Sequence, residues 1–156
     1  MRMAHRAGIF VPDNAFYLFK GGAINGITWT GSYEGYSSYE INTVIRVRGY
    51  IWDGVSGTGS SSVITNADLR GYAKLHFKYS TIKIVNGTCP NIRVYPNYVS
   101  TPTEGDPPIV TSYDLSAIPD LTSTLVMIQS GHISKSSTSG VVDSELVITD
   151  VWATRE

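Results

Sequence analysis

The chain has one cysteine in 156 residues, Cys89, so an internal disulfide is excluded. Set beside Pro90, with no base close by in sequence, that thiol reads as a small, partly buried side chain. Charge is scarce: Asp, Glu, Lys and Arg make up 16% of the chain, against about 25% in ordinary globular domains. The 12 basic and 13 acidic residues form no blocks and leave a net charge of −1, which argues against nucleic acid as a partner, since its binders carry a basic stripe. No apolar run approaches the roughly 20 residues of a membrane span. Met1-Arg2-Met3-Ala4-His5-Arg6 is basic, but the apolar stretch at residues 7–11 is too short, and Pro12-Asp13-Asn14 too polar, for a signal peptide.

Hydroxyls and turn formers are abundant instead. Ser and Thr together number 33, with 10 Tyr and 15 Gly. Hydroxyl-rich, Glu- and Lys-poor composition suits strands and turns rather than helices. The length allows one domain with a full core.

Residues 1–13 read as an arm, with Gly8-Ile9-Phe10-Val11 available to pack as an edge strand or against a neighbouring subunit. The domain proper runs over residues 14–156. Phe16-Tyr17-Leu18-Phe19 is the first strand, and Asn25-Gly26 a turn within the next segment. Residues 31–40 read as a Gly/Ser/Tyr loop, and residues 53–62 as another. Between them, residues 41–52 alternate: Ile45, Val47 and Ile51 on one face, Arg46, Arg48, Tyr50 and Trp52 on the other.

One unit recurs. Asp68-Leu69-Arg70-Gly71-Tyr72 leads into a strand with Leu75, Phe77 and Tyr79 on one face, and Tyr113-Asp114-Leu115 with Asp120-Leu121 leads into Leu125-Val126-Met127-Ile128. Asp68 and Asp114 are expected to cap their turns by accepting backbone N–H bonds. The apolar period shifts from odd to even between Tyr79 and Ile82, so a bulge is expected near Ser80-Thr81. Asn86-Gly87 signals a hairpin returning through Ile92-Arg93-Val94-Tyr95. Residues 96–108 read as a surface loop, residues 134–140 as a hairpin tip, and residues 145–152 as the last strand. Eight or more strands with no helical period predict an all-β, antiparallel β-sandwich.

Catalytic constellations are lacking. His5, His76 and His132 show no metal-ligand spacing, and His76 falls on the outer face of its strand. Gly54-Val55-Ser56-Gly57-Thr58-Gly59 has neither the nucleophile-elbow spacing nor the Gly-Lys-Ser/Thr ending of a phosphate loop. Glu34/Glu40, Glu104/Asp106 and Asp143/Glu145 read as solvated loop acids rather than a glycosidase pair. No calcium loop is recognisable, although Asp13, Asn14 and Asp150 offer oxygens. No enzyme, metal or cofactor is expected.

The candidate site is the outer face carrying Arg46, Arg48, Tyr50 and Trp52, extended by Arg93 and Tyr95 across the expected hairpin and rimmed by Trp29, Tyr33 and Tyr36. Aromatic planes stack on the apolar faces of sugar rings, and Arg donates forked hydrogen bonds to vicinal hydroxyls. The same face is also suited to packing against another strand or subunit.

Asp68-Leu69-x-Gly71-Tyr72-x-x-Leu75-x-Phe77, with the closing Leu146-Val147-Ile148-Thr149-Asp150-Val151-Trp152, resembles jelly-roll accessory domains of phage tail and baseplate proteins, themselves similar to galactose-binding-like carbohydrate-binding modules. Phe16-Tyr17-Leu18-Phe19, Gly21-Gly22 and Trp29 fit the opening of such domains loosely. The resemblance implies a jelly-roll virion protein, tail-associated, binding host cell-surface polysaccharide or receptor. Those domains usually sit inside long tail proteins, whereas this sequence opens on Met1, which favours the alternative of a small assembly or decoration protein contacting other virion proteins or copies of itself.

Overall fold

The structure is a computed structural model that describes the backbone of residues 3–6 and 9–12 and the whole of residues 15–99 and 109–156. Of the loop expected over residues 96–108, residues 97–99 are instead a short strand and residues 100–108, with Glu104 and Asp106, lie outside the described residues, as do Asp13, Asn14 and the side chain of His5. β1 (Met3–Arg6) and β2 (Ile9–Pro12) pair as an antiparallel hairpin, so the Ile9-Phe10-Val11 run takes its strand partner from the chain just before it.

The other strands form two antiparallel sheets, each of six strands. In the first, β14 (Val142–Thr154) is central. One edge of β14 pairs with β8 (Lys74–Val85), which pairs in turn with β11 (Ile109–Asp114). Its other edge is shared by β6 (Ile45–Ile51) and β3 (Phe16–Lys20), and β5 (Ser37–Ile41) lies outside β6. In the second sheet, β7 (Gly57–Ala67) pairs along one edge with β12 (Thr124–Gln129) and β13 (Ile133–Lys135), and along the other with β4 (Thr30–Gly35). β9 (Asn91–Val94) and β10 (Asn97–Val99) complete it beyond β12. The protein is thus an all-β sandwich, as its composition and alternation predict. Among the described residues the single helical element is a 3₁₀ turn at Leu115–Ala117, and no helix is long and apolar enough to cross a membrane.

Period-two side chains from both sheets make the core. Ile45, Val47, Leu75, Phe77, Leu146 and Ile148 meet Val63, Ile92, Val94, Val126 and Ile128, all fully buried. Besides Thr149, which is skipped in the β14–β8 register between Ile148 and Asp150, two irregularities keep the faces in phase. Thr81 pairs with Val147 and Tyr79 with Ile148, which leaves Ser80 as the extra residue of the bulge expected there. Val151 pairs with Phe19 and Trp152 with Tyr17, which leaves Leu18 as a second extra residue, so Leu18 and Phe19 are both buried though adjacent.

The repeated Asp-Leu unit closes one end of the sandwich. Asp68 Oδ1 accepts from the Arg70 amide (3.1 Å), Asp114 Oδ1 from the Ser116 amide (3.0 Å) and Asp120 Oδ1 from the Thr122 amide (3.0 Å). These short bonds turn the chain and send Leu69 and Leu115 into the core, where neither is exposed. The corners also join each other: the Leu69 amide donates to Leu121 O (2.9 Å) and the Leu115 amide to Ala73 O (2.8 Å).

Four local expectations are corrected. Residues 31–40 are not a loop but β4 and β5, one in each sheet, with the chain changing sheets at Gly35-Tyr36. Residues 57–62 are the first half of β7 rather than loop. Asn86-Gly87 turns the chain, Asn86 at φ 48°, but carries it to β9 in the second sheet instead of back along β8. Residues 134–140 likewise cross from β13 on β7 to β14 and are no hairpin tip.

Candidate functional site

The alternation of β6 places Arg46, Arg48 and Tyr50 on the outer face of the first sheet, with Trp52 just beyond its end. The neighbouring central strand contributes Asp143 and Glu145 to the same face. These two acids are not solvated loop residues: they sit on β14, with side chains only 1% and 9% exposed. Arg48 forks onto Asp143, Nε to Oδ1 and Nη2 to Oδ2, both at 3.0 Å. Lys83 Nζ reaches the same Oδ2 at 3.1 Å. Arg46 Nε donates to Glu145 Oε2 at 2.6 Å, and Arg46 Nη2 also contacts that oxygen. Burial alone would raise the Asp143 pKa, but the hydrogen bonds from Arg48 and Lys83 outweigh it and hold the carboxyl below its ordinary value. The result is a ladder of alternating charge across three strands.

The ladder ends in aromatic rings. The Arg48 guanidinium lies 4.5 Å over the Tyr50 ring. Tyr50 and Trp52 lie nearly parallel with centroids 6.3 Å apart, and Tyr36 meets Trp52 edge-on at 5.2 Å and 82°. Together with Gly35, Ser37 and Ser38 they line a groove of about 500 Å³. Trp52 stays 48% exposed.

Backbone contacts make this arrangement rigid. Tyr36 bridges the sheets, its amide donating to Thr58 O on β7 and its carbonyl accepting from the Tyr50 amide on β6, each at 3.0 Å. Gly35 is at φ +60°, and a Cβ there would overlap the Thr58 carbonyl oxygen. The turn after Trp52 is tied by Lys135, whose buried ammonium donates to Trp52 O (2.9 Å) and Val55 O (2.7 Å). Asp53 Oδ1 accepts from the Gly140 amide at 2.8 Å.

The structure therefore brings Arg46, Arg48, Tyr50, Trp52 and Tyr36 together and separates the other expected residues from them. Trp29 is a core residue: its ring packs edge-on to Phe19 (6.2 Å), and its Nε1 donates to Leu18 O at 2.9 Å. Arg93 and Tyr95 belong to the second sheet, because the expected hairpin does not form. There the Arg93 guanidinium sits between Tyr95 (5.1 Å) and Tyr98 (4.5 Å). Tyr33, on β4, packs against Tyr39 (6.2 Å) and lines a separate polar pocket of about 250 Å³ with Ser32, Glu34, Ser60, Ser61, Ser62 and Gln129. Asp143, Glu145, Lys83 and Lys135 were not legible as part of the site. The period-two spacing of Asp143 and Glu145 ahead of Leu146-Val147-Ile148 was the available signal. His76 is on the outer face of β8 as expected, stacked on Trp152 (5.1 Å) and hydrogen-bonded to Ser112 Oγ and Thr154 Oγ1. Among the described residues no group of His, Cys, Asp and Glu side chains has the arrangement of a metal site.

The class these features define is an antiparallel β-sandwich with an aromatic groove on one outer face. In comparisons with known proteins, the chain matches no family model, and no curated protein matches it.

Proposed function

We propose that this protein is a non-enzymatic binding module of a phage particle, tail-associated, that takes host surface glycan in the groove at Trp52. The observation that carries the glycan reading is the Trp52 ring itself. It is half exposed, braced by Tyr36 and Tyr50, and surrounded by hydroxyls. A rigid aromatic plane beside hydrogen-bonding groups suits a pyranose, which has an apolar face and a polar rim. The virion part rests on the resemblance of the Asp68–Phe77 and Leu146–Trp152 motifs to phage tail accessory domains. We read the strand order, β6-β14-β8-β11 in one sheet and β7-β12-β9-β10 in the other, as jelly-roll alternation, which is compatible with the fold that the resemblance implies.

Titration of the protein against host cell-wall polysaccharides tests the reading. Trp52→Ala should weaken binding about ten-fold or more, equivalent to ~1.4 kcal/mol, in a protein that stays folded. Binding indifferent to that substitution would refute it. A second reading, assembly or decoration through self-association, is favoured by the exposed Tyr95 and Tyr98 beside Arg93 (52% and 65% exposed). Light scattering after size-exclusion chromatography separates the two: a strict monomer counts against self-association.

A further inference from the structure

An outer face with two arginines and a lysine invites the idea of an anionic ligand, a phosphate- or carboxylate-bearing polymer. The geometry points elsewhere, and we infer that the groove selects an uncharged glycan because the cations of the outer face, Arg46, Arg48 and Lys83, are already paired with carboxylates from within. This inference rests on the glycan-binding reading and narrows it to one ligand class.

The charges fall in pairs. Arg48 gives Nε and Nη2 to Asp143, Lys83 gives its ammonium to the same carboxylate, and Arg46 gives its guanidinium to Glu145. Glu40, opposite Arg46 in the β5–β6 register, adds a third acid and accepts from Asn42 Nδ2 at 2.6 Å. Three cations thus face three carboxylates. Asp143 and Glu145 are buried in the central strand and cannot swing away to release Arg48 or Arg46 to a ligand. An anionic polymer would also have to approach those carboxylates, and that repulsion offsets the attraction of the cations.

The uncommitted polar groups of the groove are of the other kind. Tyr36 Oη, Tyr50 Oη and Ser38 Oγ make no hydrogen bond among the described residues, and Arg48 keeps the two N–H bonds of Nη1 and the second N–H of Nη2. Hydroxyls that both donate and accept fit the hydroxyls of a neutral sugar, while the exposed Trp52 face takes its apolar side. The two arginines belong to the support of the groove; Tyr36, Ser38, Tyr50 and Trp52 do the recognising.

The test compares neutral polymers (dextran, mannan, galactan) with anionic ones (polygalacturonate, a glycerol-phosphate teichoic acid) by titration calorimetry, in NaCl from about 0.05 to about 0.5 M. The expected result is binding of a neutral polymer, with Kd changing less than about two-fold across that salt range and lost in Trp52→Ala. Preferential binding of an anionic polymer that weakens about ten-fold or more with salt overturns the inference but leaves glycan binding at this face standing. Failure of every polymer to bind, or binding unaffected by Trp52→Ala, overturns the groove reading and this inference with it.

Discussion

Removing Arg48 should cost more stability than removing Asp143, although the two share one ion pair. Asp143 is 1% exposed and accepts from Arg48 twice at 3.0 Å and from Lys83 at 3.1 Å. In Asp143→Asn the amide keeps the shape and one acceptor. Arg48, with its side chain 30% exposed, and Lys83, at 52%, can turn to water. The loss is then mainly the charge-assisted fork, about 2 kcal/mol, with the exposed lysine adding no more than ~0.5. In Arg48→Met the carboxylate has no such escape: it stays buried with Lys83 alone, and about 3 kcal/mol is expected. The double variant removes both members and should cost about 3 rather than about 5 kcal/mol, a coupling of ~2 kcal/mol. Urea unfolding of the four proteins supplies the cycle. Additivity within about 0.5 kcal/mol, or a costlier Asp143→Asn, would refute the pairing and would return Arg48 to the list of free ligand groups. The pH dependence has a fixed sign. The folded pKa of Asp143 lies below its ordinary 3.8, so the stabilisation is fully present above that value and is lost as pH falls through the folded one.

The connection between the sheets and the second histidine give further tests. Gly35→Ala places a Cβ against the Thr58 carbonyl at φ +60° and should cost about 3 kcal/mol, read as a lowered thermal midpoint; a change below ~0.5 kcal/mol would show that the sheet switch at Tyr36 is not tightly held. His76 has its pKa pulled below 6.5 by burial and by Lys74, so the unfolded chain protonates first. Stability should therefore decline as pH drops below about 6.5, and His76→Gln should remove that part of the slope in urea midpoints. Trp29→Ala, which opens the core and orphans the Leu18 carbonyl, should cost ~3–5 kcal/mol, against about 1 kcal/mol for the half-exposed Trp52→Ala.

These contrasts follow from what alternation carries and what it does not. Ile45, Val47 and Ile51 against Arg46, Arg48 and Tyr50 separate two faces because successive strand residues point opposite ways, a local rule that tertiary contacts do not change. The odd-to-even shift after Tyr79 is equally local and locates the Ser80 bulge. β4 and the start of β7 escaped because Gly, Ser and Tyr form no apolar stripe. Their stability as strands comes from each other, residues 30–35 pairing with residues 59–64, and from close approaches that only glycine allows, the Tyr39 ring on Gly31 and the Tyr36 backbone on Gly59. Asn86-Gly87 shows the limit from the other side. The turn chemistry is realised at Asn86, yet a turn sets only the local bend: the strand that follows pairs with β12, Ile92 opposite Ile128 and Val94 opposite Val126.

The same reasoning explains why the ion-pair partners of the candidate site were not legible. The face of β6 could be read from residues 41–52, but its electrostatic partners lie 95 to 99 residues away on β14. A strand seen alone presents Arg46 and Arg48 as available donors. Seen beside β14, both charges are paired, because a buried carboxylate cannot remain without a cation and the nearest cations are theirs. Availability is thus a property of the sheet, not of the strand. What the pairing leaves exposed on this face is Trp52, the one ring of the set that follows the last strand position and so escapes cover. Its brace is Tyr36, a residue the sequence places in a loop and the fold places between the sheets. Under the proposed glycan reading, recognition at this face rests on the aromatic just beyond β6, with the arginines before it holding the sheet beneath.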